Sequence, residues 1–189
     1  MSVHPIHLPT SAGKITIRPL ATQDIAFLIS YMHESPPEFL EKIGFDLSKR
    51  LDREAHRTKL FENVKADHKQ GTYHSVAAQL EDKTIAAVFL PLRELPDTPR
   101  AHFHIFDLNC RAKGLGLPIL KAGLQMLLTH HKLSKVYIEP KFDNKPMNRL
   151  LQKAGFHFLG ETIFSGPTTI VFKASRYEVL SEMVSNGLV

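Results

Sequence analysis

The chain has 189 residues, 43% hydrophobic and 23% charged, which is the size and make-up of one globular domain. A single cysteine, Cys110, excludes a disulfide framework and a cysteine-based zinc cluster, and no apolar run approaches the ~18 residues of a membrane span. The net charge of +5 favours an anionic ligand, but the cations are scattered, and with no Trp and 8% aromatic residues the pattern argues against a nucleic-acid partner.

Residues 1–13 read as a loose N-terminal lead. They lack the charged-then-apolar order of a signal peptide, so a cytoplasmic protein with no membrane partner is expected. Lys14–Pro19 alternates and is rich in β-branched residues, which predicts a strand. Thr22 is placed as a helix N-cap, with Ile25, Phe27, Leu28, Ile29 and Met32 behind it. Ser35-Pro36-Pro37 stops that helix and opens another short helical piece. Arg50–Gln70 reads as a longer amphipathic helix, ended by Gly71.

The period then drops to two. Tyr73–Leu80 and Thr84–Leu92 are predicted as a hairpin about Glu81-Asp82-Lys83, and Ala101–Leu108 as a third strand after a loop over 93–99. An apolar helix follows, running to about His131, with Leu117, Leu120, Leu124, Leu127 and Leu128 on one face. Lys135–Glu139 is a short buried strand. Asp143 or Asn144 caps the next helix, whose Met147, Leu150, Leu151 and Ala154 form an i, i+3, i+4, i+7 stripe. His157–Phe164 and Thr168–Lys173 are strands about Ser165-Gly166-Pro167, and Ser175 is placed as the cap of a last helix. The unit from 101 to 139 calls for a right-handed parallel crossover. The fold class is α/β, an α+β mixed sheet with helices on both faces.

Arg111-Ala112-Lys113-Gly114-Leu115-Gly116 follows a strand and opens a helix. A helix start presents unpaired N–H groups and a partial positive charge. Glycines let such a backbone approach a phosphate, and Arg111 and Lys113 add charge, so the segment is an anion cradle suited to a pyrophosphate. It has neither the Walker A spacing nor G-x-G-x-x-G.

This R-A-K-G-L-G segment resembles the R/Q-x-x-G-x-G/A signature of the GCN5-related N-acetyltransferases, the GNAT superfamily. Asn144–Phe156 resembles a second block of that family, and the opening ITIRPL followed by a helix resembles its RimJ/RimL-like branch. The resemblance implies a GNAT-like domain over 14–189 and a sheet splayed between the strands at 101–108 and 135–139. It implies acetyl-coenzyme A as co-substrate, no metal, and transfer of the acetyl group to a small-molecule or peptide amine by direct attack on the thioester. The loop residues Arg111, Ala112, Lys113, Gly114, Leu115 and Gly116 would hold the pyrophosphate. Backbone groups near Phe106 and Leu108 would pair with the pantetheine arm, and Asn144 and Asn148 would reach the cofactor; a plain N-cap is the alternative for Asn144. A homodimer is a further expectation. A non-catalytic acyl-coenzyme A-binding module of the same fold is the alternative function.

The usual strand carboxylate of the family is missing, since Arg100 falls near its position. His102 and His104, on one face of the strand, and Glu139, at the end of the neighbouring one, are the replacement candidates for proton transfer. A polar stripe packed beside the ligand remains the alternative for the histidines, and an ordinary strand-end carboxylate for Glu139. Leu151 stands where many relatives carry a tyrosine acid.

Overall fold

The computed structural model describes residues 4–92 and 99–185. Two antiparallel sheets make up its centre. The first has five strands in the order β1 (Ile6–Thr10), β2 (Gly13–Pro19), β3 (Ser75–Leu80), β4 (Lys83–Phe89), β5 (His102–Ile105). The second has the order β6 (Lys135–Ile138), β8 (Phe172–Leu180), β7 (His157–Phe164). The helices are α1 (Ile25–Glu34), α2 (Pro37–Lys42), α3 (Arg53–Lys69), α4 (Gly116–His131), α5 (Lys145–Lys153) and α6 (Ser181–Ser185).

The first sheet is covered on both faces, and its strands alternate accordingly. Val76, Ala78, Ala86 and Val88 face α4, whereas Ala77 and Ala87 face Leu28 and Ile29 of α1 and Val64 of α3. Gly123 lets α4 lie close on the sheet, because a Cβ there would come within 2.6 Å of Val88 Cγ2. Leu120, Leu124, Leu127 and Leu128 are buried along α4, each contributing about 1.5–3 kcal/mol.

Four expectations change. The lead at 1–13 is not loose throughout, since Ile6–Thr10 pairs with β2. Pro9 is tolerated because β1 is an edge strand, with one side free of ladder bonds. Thr22 is not the N-cap of α1: Thr22–Asp24 is a 3-10 turn, and the Asp24 carboxylate accepts from Ala21 N at 2.7 Å and pairs with Arg18. Ser175 caps no helix, because β8 continues to Leu180 with Tyr177 and Val179 buried at period two. The expected third strand is also shorter, ending at Ile105. Residues 93–98 of the expected loop lie outside the described residues. No helix among the described residues is long and apolar enough to cross a membrane.

Among the described residues the two sheets meet at one parallel contact. Ala101 N donates to Tyr137 O at 2.8 Å, and Tyr137 N donates to Pro99 O at 2.9 Å. Beyond it β5 and β6 belong to separate sheets, and a cleft of about 980 Å³ opens between the α1–α3 layer, β5, β6 and α5.

Candidate active site

The cleft brings together His102, His104, Glu139, Arg111, Ala112, Gly114, Gly116 and Asn144, eight of the side chains and loop positions expected from the sequence. Phe106, Leu108, Lys113, Leu115 and Asn148 do not line it. Lys113 is exposed, and the other four have local causes. A bulge leaves Ile85 out of the β3–β4 register, and its carbonyl accepts from Phe106 N at 2.7 Å, so that amide is already engaged. Leu108 lies in an exposed 3-10 turn. Leu115 is buried in the core beneath α4. Asn148 donates to Lys141 O at 3.0 Å and Asn144 O at 2.9 Å, and accepts from Tyr177 OH at 3.2 Å, so it ties the β6–α5 connection together. Asn144 is the N-cap of α5, its Oδ1 accepting from Met147 N at 3.3 Å.

The loop into α4 turns its amides towards open space. Ala112 and Gly114 take positive φ of 59° and 77°, which turns successive amides to one side. No side chain caps α4, and the N–H groups of 112–117 find no acceptor among the described residues. A Cβ on Gly114 would meet nothing within 4 Å, so the concave side is open. A Cβ on Gly116 would lie 2.7 Å from Leu150 Cδ1, so glycine there lets α5 close one wall. These features fit a pyrophosphate held by backbone amides.

The Arg111 side chain turns away from the cradle. Its Nη2 donates to Ile105 O at 2.9 Å, and its guanidinium lies 4.6 Å from the Phe39 ring centre. Sequence reasoning missed Tyr31, whose hydroxyl is 3.2 Å from His104 Nδ1. On α1 it occupies a buried helical position, which reads as core. Burial pushes the Tyr31 hydroxyl up to about 12, with Arg111 partly opposing.

Desolvation dominates the two histidines. It pushes His102 down to about 4, with Arg100 adding to the effect, and His104 down to about 3, with His102 and Arg111 adding. Both rings are therefore neutral at neutral pH. Below pH 6.5 the unfolded chain takes up these protons and the folded chain does not, so stability falls as the pH drops from about 6.5 towards 4 and 3. The slope is up to about 1.4 kcal/mol per pH unit for each ring. Urea unfolding at pH 7 and pH 4.5 checks this. The parent should lose more stability than His104→Gln over that interval, and equal losses would show that His104 titrates normally.

Glu139 is buried between two cations. Its Oε1 accepts from Arg176 Nε at 2.6 Å, and its Oε2 lies 2.7 Å from Arg100 Nε. Glu139, directly after β6, thus faces Arg100, which precedes β5. Cys110 is buried, and desolvation raises its thiol, so it is not an activated nucleophile.

Residues 66–164 match the family model for the acetyltransferase (GNAT) domain. A 65-residue stretch is 37% identical to a probable spermine N(1)-acetyltransferase of Bacillus subtilis subsp. natto, covering 34% of this chain and 43% of that protein's length. RimJ of Mycobacterium smegmatis, solved with a coenzyme A disulfide, superposes with a TM-score of 0.70 at 15% identity, over 94% of this chain and 87% of that one. A ribosomal-protein-S5-alanine acetyltransferase of Vibrio fischeri gives 0.70 at 12% identity, over 97% and 99%. These two structures share the fold.

Proposed function

This chain belongs to the family of GNAT-domain acetyltransferases, and on that premise we propose that it moves an acetyl group from acetyl-coenzyme A to an amine. The observation that carries the reading is the run of unaccepted amides at 112–117, set at the mouth of the β5–β6 cleft. Those amides hold the pyrophosphate, with exposed Lys113 beside them and Arg149 and Lys153 of α5 lining the cleft. When bound, acetyl-coenzyme A would supply a thioester whose acyl carbon takes the nitrogen of the free-base amine as the C–S bond breaks, with one N–H proton leaving the nitrogen and the sulfur departing as coenzyme thiol once that proton is returned to it.

The chain's own contribution is positioning and desolvation. An ammonium entering the cleft meets the influences that keep His102 and His104 neutral, desolvation first and then the charges of Arg100 and Arg111. It sheds its proton to solvent on entry and arrives as the free base. His104, held by Tyr31, orients the nitrogen lone pair, with His102 in support. Glu139 is a positioning residue acting through Arg100 and Arg176.

Release of coenzyme thiol from acetyl-coenzyme A, followed across a panel of amines, tests the transfer. Coenzyme A should raise the melting temperature by mass action, whereas ATP and NAD should protect poorly. Coenzyme A binding without turnover of any amine would reduce the protein to a coenzyme-binding module. Equal protection by ATP would leave only a generic anion site.

A further inference from the structure

The part of the cleft away from the phosphate loop is walled by Tyr31, Met32, Phe39, Phe45, Phe164 and Phe172. Among the described residues lining the cleft there are two carboxylates, Asp67 and Glu139. Both are engaged. Asp67 Oδ2 lies 3.1 Å from His74 Nδ1, and Glu139 is held between Arg100 and Arg176. Lys42 and Arg111 line the same space.

Aromatic walls can also hold an ammonium, through their ring faces. Here two rings already carry guanidiniums: Arg111 lies 4.6 Å from the centre of Phe39, and Arg100 lies 5.2 Å from that of Phe164. A substrate with a second positive charge would lose its hydration, meet Lys42, Lys141 and Arg111, and find no uncommitted carboxylate among the described lining residues. An apolar body, by contrast, gains from leaving water against these walls.

We propose that the acceptor is a monoamine on an apolar body, aromatic or long-chain aliphatic, and that the cleft rejects amines bearing a second positive charge. Polyamines and aminoglycosides are thereby excluded, which sets this chain apart from the relative named for spermine. The proposal rests on the acetyltransferase reading for the transfer step, whereas the selectivity is a property of the cleft and is measurable by binding alone.

Hexylamine and 1,6-diaminohexane make a matched pair, equal in length and differing by one ammonium. Two measurements decide: kcat/KM with acetyl-coenzyme A, and calorimetric binding to the protein saturated with coenzyme A. Hexylamine should exceed the diamine by at least ~10-fold in both, the scale of discrimination that one pocket contact supplies. Phenethylamine should behave like hexylamine, and spermidine and kanamycin like the diamine. Met32→Glu, which adds a carboxylate to the apolar wall, should shift the ratio towards the diamine by a similar factor; its melting temperature with coenzyme A verifies folding. The proposal is overturned if the diamine or spermidine binds as well as hexylamine, or if neither hexylamine nor phenethylamine binds. Monoamine-selective binding without turnover would support the selectivity and sink the transferase reading, so the two failures are distinguishable.

Discussion

Gly114→Asp is expected to abolish the rise in melting temperature that coenzyme A produces, while Gly114→Asn keeps most of it. The position has φ +77°, a conformation that Asp and Asn adopt more readily than other side chains. The two replacements therefore share size and backbone strain and differ in charge. No atom lies within 4 Å of the added Cβ, so neither clashes with the fold. The aspartate carboxylate would occupy the open side of the loop, where the amides of 112–117 await an acceptor, and would repel the incoming pyrophosphate. A weakening of at least ~100-fold, about 2.8 kcal/mol, is the expected scale. Thermal shift and calorimetry with coenzyme A give the result. A folded Gly114→Asp protein that binds as tightly as Gly114→Asn would place the phosphates elsewhere.

That loop was legible because its signals are local. Glycines before an uncapped apolar helix imply both the positive φ and the free amides, whatever the rest of the chain does. The α5 block was legible for the same reason, since Asn144, the Met147–Leu150–Leu151 stripe and Gly155 mark the start, buried face and end of one helix. Two misses are local: β1 pairs with its neighbour β2, where Pro9 fits only because β1 is an edge, and Asp24 takes the Ala21 amide in place of a Thr22 cap. The others arose where the deciding partner is distant in sequence. Ser175 reads as a cap, and only pairing with β6 and β7 carries β8 through it. Asn148 shares a helix face with Asn144, which suggested a ligand contact. Its hydrogen bonds to Lys141 O and Tyr177 OH, the second from β8, engage the side chain within the fold, which the helix face alone does not reveal. Tyr31 reaches the cleft through its contacts with His104 and Phe106, distant in sequence, which no period on α1 reveals.

Glu139→Ala is expected to cost about 3–5 kcal/mol of stability, the range found when one partner of a buried ion pair is removed. That is a large share of the roughly 5–15 kcal/mol that holds a domain folded. The Glu139 side chain is 1% exposed, and its two oxygens lie 2.6 and 2.7 Å from Arg176 and Arg100. Without the carboxylate, two guanidiniums would face each other beside the only parallel contact between the two sheets among the described residues, where Ala101 N meets Tyr137 O. The start of the splay should loosen with them, so coenzyme A binding should weaken as well. A general base would leave a different signature: its loss costs ~10²–10⁴ in rate while the fold stays intact. Urea unfolding and turnover, measured on Glu139→Ala and on the double variant with Arg100→Met, separate the roles. An anchor predicts low stability in the single variant and partial recovery in the double, because the uncompensated cation is gone. A Glu139→Ala protein that unfolds at the parental urea concentration yet has lost turnover would make Glu139 the base and Arg100 its partner.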